Sequence, residues 1–242
     1  MSTIFTYPPE WYQFSRISFK LLPASQTSPR PWAGGNSAYG PHAQLFMPKF
    51  TVGTVHDPRV WREMDAFFSR LGGQSGLMRI GDFSRRQPAY NLDVATSKAK
   101  FSDGSGFSDG SGFVSGLLPP TAYLTQDGAR GDDSIVIGGL PASTARVLNR
   151  GDLVEIRPAG IAADFPHLYQ VMVPSGTDAS GAAGVEIRPR LRRGVAAGDM
   201  VVLTDPTSVF HLVDDNQGEM GITSPMRSDF GFSLVEAIER TA

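Results

Sequence analysis

One stretch constrains this chain more than any other: Asp57-Pro-Arg-Val-Trp-Arg-Glu-Met-Asp-Ala-Phe-Phe-Ser-Arg-Leu-Gly-Gly73, followed at once by Gly76-Leu-Met-Arg-Ile-Gly-Asp-Phe83. Val60, Trp61, Met64, Phe67, Phe68 and Leu71 recur at helical spacing and form a single apolar stripe. Arg59, Arg62, Glu63, Ser69 and Arg70 take the opposite side. Asp57 suits a helix N-cap, Pro58 the first helical position and Gly72 a left-handed exit. The pattern predicts a helix over 58–71 whose stripe packs on a sheet, with a subunit interface as the alternative use, and a short strand directly after it.

The rest of the chain reads as strands and turns. Glycine (27) and proline (18) are spread along all 242 residues, the punctuation of many short strands. Arg16–Leu22 alternates like a half-buried strand. Gln44–Val52 is a second strand, in which Pro48 argues for an edge, a bulge or a break. From Thr121 onwards, Ala122–Leu124, Ser134–Ile137, Gly151–Ile156, Leu168–Val173, Gly184–Pro189 and Asp199–Leu203 follow at the spacing of a small barrel or sandwich. Two Gly-Asp-apolar-Val phrases, at Gly151 and Gly198, read as repeated turns into strands. Val209–Val213 alternates again, and Phe230–Ile238 is a strand or a short helix rich in core residues.

Two segments read as loops. Pro29–Gly40 carries three glycines and two prolines around Trp32, its expected anchor. Phe101-Ser-Asp-Gly-Ser-Gly is repeated at once from Phe107 and closed by Phe113. Two copies are too few to stack a solenoid core. The Asp-Gly-Ser-Gly pieces resemble parts of calcium loops, but no bidentate acid follows at the required distance. An exposed loop anchored by its phenylalanines is the preferred reading, and an arm that orders on a partner is the alternative.

Chemistry is hard to find. With no cysteine there is no disulfide, thiolate nucleophile or cysteine metal site. His42, His56, His167 and His211 lack metal-ligand spacing and read as surface or structural residues. There is no nucleophile elbow, phosphate loop or dinucleotide fingerprint. Asp132-Asp133 and Asp214-Asp215 are adjacent acids, which point to opposite faces of a strand and make poor catalytic pairs. A net charge of −2 gives no global attraction to nucleic acid or to an anionic membrane. No apolar run approaches a membrane span and the N-terminus lacks signal-peptide features, so a soluble, unexported protein is expected. The one basic cluster, Arg188-Pro-Arg-Leu-Arg-Arg193, is read as a solvated strand end and turn. Its functional version has Arg190, Arg192 and Arg193 gripping an acidic patch on a neighbouring subunit.

Several phrases in order resemble the distal tail (tail-tip adaptor) proteins of long-tailed bacteriophages and of gene transfer agents. They are Phe67-Phe-Ser-Arg-Leu-Gly-Gly73 leading into Leu77-Met-Arg-Ile-Gly-Asp-Phe83; Val185–Arg193 followed by Gly198-Asp-Met-Val-Val202 and Val209–Asp215; and the ending Phe232-Ser-Leu-Val-Glu-Ala237. The repeated Phe-Ser-Asp-Gly-Ser-Gly loop belongs to no pattern of that family.

The resemblance implies a mainly β protein with a β-sandwich or barrel ring domain, one amphipathic belt helix and a second small β-barrel. On this reading residues 1–95 form the ring domain with helix 58–71, and 96–120 the Gly/Ser/Phe-rich loop. Residues 121–205 form the outer barrel, and 206–242 return to the ring domain. The implied function is that of a structural virion protein, not an enzyme and without cofactor or metal. It would form a homo-oligomeric ring of six copies at the tail tip, after assembly in the host cytoplasm. Its partners would be the tail-tube protein and the hub or baseplate, with no nucleic acid and no membrane. Trp61, Phe67 and Phe68 would shape the ring domain, and Trp32, Phe107 and Phe113 would reach neighbours. Two alternatives stand beside this: another minor tail or hub component, and a module binding host-surface glycan with Tyr123 or Tyr169 as stacking platform. Both tyrosines sit in strand patterns that suit a core. A tail-associated cell-wall hydrolase ranks last.

Overall fold

A computed structural model describes residues 4–8, 14–22, 26–27, 38–39, 44–55, 57–96, 117–158, 165–217, 221–223 and 227–238. Trp32, His42, His56, Phe107, Phe113 and the whole Phe-Ser-Asp-Gly-Ser-Gly repeat lie outside the described residues. Mainly β architecture holds throughout, in two compact units: Met1–Ser84 with Thr207–Ala242, and Arg85–Pro206.

The first unit is built on one sheet. Its strands β1 (Ile4–Thr6), β2 (Phe14–Leu22), β5 (Leu45–Val55), β6 (Leu77–Gly81), β13 (Thr207–Leu212) and β15 (Arg227–Glu236) lie in the order β1-β6-β13-β15-β5-β2. β14 (Gly221–Thr223) pairs with β15 off this path, and β3 (Gln26–Thr27) pairs with β4 (Ala38–Tyr39) apart from it. The tail from 227 is therefore a strand and not a helix. β15 changes partner along its length: Ser228–Ser233 pair with β5, and Leu234–Glu236 pair with β13. Glu236, only 2% exposed, sits at this hand-over. Its carboxylate accepts the Phe46 N–H at 3.1 Å and the Ser208 hydroxyl at 2.9 Å, joining three strands.

Pro48 neither breaks β5 nor places it on an edge. The strand runs through it between β2 and β15, and the ladder with β15 begins only at Lys49, so the missing N–H falls just beyond that ladder.

Helix α1 (Pro58–Leu71) has the expected ends. The Asp57 carboxylate accepts the Arg59 N–H at 2.8 Å, and Gly72 leaves at φ 74°, its N–H bonded to the Phe68 carbonyl at 3.3 Å. Met64, Phe68 and Leu71 are buried, and the helix joins a cluster of rings lining the sheet. Phe68 meets Phe230 at 4.9 Å and Phe232 at 5.2 Å, while Phe67 stands edge-on to Phe5 and Tyr7. Tyr7, just past the first strand in the sheet order, packs on Phe14 of the last strand at 5.7 Å. The sheet thus curls until its two ends share one aromatic core. Each buried ring is worth about 1.5–3 kcal/mol by area and each edge or tilted pair about 0.5–1.5 more, so this core dominates the unit's stability.

The second unit is a closed six-stranded barrel. Its strands are β7 (Thr121–Leu124), β8 (Ser134–Gly138), β9 (Leu153–Arg157), β10 (His167–Val171), β11 (Ala183–Arg188) and β12 (Met200–Val202), closed in the order β10-β11-β8-β7-β12-β9. Alternate residues fill its interior, among them Ala122, Ile137, Val154, Ile156, Tyr169, Val171, Val185 and Val201.

One turn device occurs three times in this barrel: Ala129-Arg-Gly-Asp132, Asn149-Arg-Gly-Asp152 and Ala196-Ala-Gly-Asp199. Each glycine has a φ that L side chains avoid, 99°, 95° and 92° respectively. Each aspartate carboxylate accepts the N–H of the first residue, at 2.7, 2.7 and 2.8 Å. The glycine N–H groups reach the carbonyls of Leu191, Val171 and Leu124, whose own N–H groups return to the aspartate carbonyls at 2.8–2.9 Å. The sequence reading includes two of these turns. The third, at Gly131, is followed by Asp133 instead of an apolar residue.

Residues 85–95, which the sequence reading assigns to the first domain, belong to the barrel unit. The Arg85 guanidinium donates to the Gly151 carbonyl at 3.0 Å and the Ala89 N–H to the Asp152 carboxylate at 3.0 Å. Helix α2 (Ala89–Thr96) carries Tyr90 against the barrel core, while the Asn91 side chain accepts the Leu118 N–H at 2.7 Å. Leu92 of the same helix is exposed, and no apolar stripe marks it in the sequence. The far end of the unit comes back to the same place. The Asp205 N–H donates to the Arg86 carbonyl at 2.6 Å, and their side chains form an ion pair.

The barrel's ends leave and rejoin the first unit at neighbouring strands. β6 ends at Gly81 and β13 begins at Thr207, and those two residues are register partners. The barrel is an insert in what would otherwise be a simple β6–β13 hairpin.

Candidate functional site

Around α1, Phe68 is buried and Phe67 half-buried within the first unit, so both rings go into intramolecular packing. Trp61 remains half-buried, with the Arg62 guanidinium over its ring at 5.8 Å. Beyond the helix end, Asp215 accepts the Gln74 N–H at 2.8 Å and the Gln74 side chain donates to the Val213 carbonyl at 2.7 Å. A shallow pocket of ≈ 400 Å³ lies there, lined by Asp65, Ser69, Gly73, Asp215 and Asn216 among others.

The basic run is not one patch. Arg188 and Arg190 both face Asp133, at 3.4 and 3.6 Å, and Arg188 also reaches Glu186 at 3.7 Å. These pairs are largely solvated and contribute little to stability. Arg192 and Arg193 turn to one end of the barrel. There the Arg192 N–H meets the Tyr169 hydroxyl at 3.4 Å and Arg193 donates to the Phe165 carbonyl at 3.2 Å. His167 completes that end. It is 4% exposed, with Nδ1 3.4 Å from the Tyr169 hydroxyl and no hydrogen-bond partner for Nε2 among the described residues. Burial, together with the charges of Arg193 and Arg192, lowers its pKa to about 3, so the imidazole is neutral at physiological pH. Asp152 moves the other way: burial raises its pKa, against the N–H bonds from Asn149 and Ala89 and the charge of Arg85.

The two tyrosines named as stacking candidates part company. Tyr169 is fully buried in the barrel core, whereas Tyr123 is 50% exposed. The reason is the alternation in β7: Ala122 and Leu124 point inward, so Tyr123 shares the outer face with Thr121. The core position expected for Tyr123 is therefore corrected, and the Thr-Ala-Tyr-Leu alternation carries the signal for it.

Among the described residues no group of three or more His, Asp or Glu side chains could hold a metal ion, and no helix is long and apolar enough to cross a membrane. Neither a protein-family model nor a curated protein matches this sequence.

Proposed function

We propose that the chain is a structural subunit of a bacteriophage tail tip, forming a ring that joins the tail tube to the hub or baseplate. The observation that carries this reading is the insertion: a complete barrel interrupts a helix-bearing β unit between two strands that pair with each other. A unit whose sheet closes across its own insert can keep a fixed shape for assembly while carrying a second module. That division of labour is what the resemblance to distal tail proteins implies.

Assembly into a ring requires two different complementary surfaces on each copy, since the contacts are heterologous and close by rotation. The work is done by interface burial, not by chemistry, and residues at the centre of such interfaces carry most of the energy. In the proposed ring the α1-bearing unit makes the contacts between copies, and the tube and hub proteins stack on its two sides. The virion is its place of action.

Light scattering on the purified chain, with negative-stain imaging of the same fractions, tests the proposal. A ring of about six copies, or rings that appear when tail-tube protein is added, supports it. A monodisperse monomer indifferent to tube protein refutes it.

A further inference from the structure

We propose that the outer face of β7 and β12 is a saccharide site in which the ring of Tyr123 stacks on one face of a pyranose. The inference stands on the barrel alone and is independent of ring assembly.

Tyr123 is held in place from below by backbone. Its register partner on β8 is Gly138, and a Cβ added there would come 2.5 Å from the Thr125 methyl and 3.0 Å from Tyr123 Cε2. One added at Gly139, whose φ is 82°, would come 2.9 Å from Cε1. The ring therefore lies against two glycines, and a side chain at either position would lift it. A large ring pinned this way and still half exposed is preorganised: little side-chain freedom remains to be lost when something stacks on it.

The surroundings select the ligand. Gly138, Tyr123, Met200 and Arg157 are successive register partners across four strands, so they form one row on one face, about 14 Å long at the usual strand spacing. Thr121 on β7 and Thr125 just past its end, both exposed, flank Tyr123. Arg157 is paired to the buried Glu155 carboxylate, which fixes a planar fork suited to vicinal hydroxyls or a carboxylate. The apolar part of the row is one ring and one thioether side chain. That falls far short of the ~800 Å² per partner of a stable protein interface, so neither a second copy nor a folded protein is its occupant. A pyranose presents the complement, a small C–H face rimmed by hydroxyls.

Saturation-transfer difference NMR on the full chain tests this, with maltotriose, lactose, chitotriose, rhamnose and glucuronic acid as probes, each up to about 10 mM. At least one probe should bind, with transfer strongest to the C–H protons of one sugar face. Tyr123→Ala should weaken it about tenfold or more, and Tyr123→Phe should stay within about twofold. Gly138→Ala should weaken it while leaving the barrel folded, and Val173→Ala, at an exposed apolar residue outside the row, should change nothing. Failure of every probe to bind, equal binding by Tyr123→Ala, or equal loss in Val173→Ala would overturn the assignment. None of these outcomes bears on the oligomeric state, which the light-scattering measurement reads separately.

Discussion

Acidification should act on the barrel through His167 before it reaches most carboxylates. In the unfolded chain this imidazole takes up a proton near its ordinary pKa of 6.5, whereas in the folded barrel it does so only near about 3. Between those values the unfolded state binds one proton more than the folded state, so stability falls as the pH falls. Each pH unit in that window costs about 1.4 kcal/mol, and the change from pH 7 to pH 4 is about 3 kcal/mol. Against a typical domain stability of about 5–15 kcal/mol, that is a large fraction. The assay is amide hydrogen exchange of barrel core residues, such as Val154 and Val171, at pH 7, 6, 5 and 4 in the wild type and in His167→Gln. The pH dependence of exchange chemistry and the titration of shared carboxylates cancel in the difference. The wild type should lose about 3 kcal/mol relative to the variant over this range, most of it below pH 6. Parallel curves would refute the reasoning, since they would mean that the imidazole charges inside the fold without cost.

Other consequences are simpler to check. Asp132→Ala and Asp199→Ala each remove the carboxylate that closes a barrel turn, and each should cost about 1–2 kcal/mol in urea unfolding of the barrel. Phe50→Ala, deep in the first unit's ring cluster, should cost about 3–5 kcal/mol, read by the fluorescence of the tryptophans, all three of which lie in that unit's part of the chain.

Helix α1 was legible because every local signal agreed: the stripe, the Asp57 cap, Pro58 and the Gly72 exit all occur where the sequence puts them. The barrel strands were legible to within a few residues for the same reason, as alternation and turn chemistry coincide there. What escaped depends on contacts distant in sequence. α2 has no stripe because its place is set by single bonds, from Ala89 to Asp152 and from Leu118 to Asn91. Pro48 reads as an edge, a bulge or a break because the sequence does not show that β15 stops pairing one residue away. The split pairing of β15 and the burial of Glu236 follow from the curl of the whole sheet. At the surface, the basic run reads as a solvated strand end and turn, and only the fold shows Arg188 and Arg190 sharing Asp133 while Arg193 donates to the Phe165 carbonyl. The outward direction of Tyr123 is written in the alternation of its own strand, whereas the glycine floor under its ring lies on the neighbouring strand.

The tied ends of the barrel bear on how such chains can diversify. Closing a loop costs free energy that grows with the logarithm of its length, so a long unstructured insert between β6 and β13 would weaken their pairing. Here the Arg86–Asp205 clip gathers the ends of the insert within its own unit, and to the sheet the whole barrel behaves as a short hairpin loop. The register of Gly81 on Thr207 is then indifferent to what lies between. Recombination at this joint can exchange the barrel for another module, or reduce it to a tight turn, while the sheet and its aromatic core stay as they are. One scaffold can in this way acquire new surfaces faster than point mutation would allow.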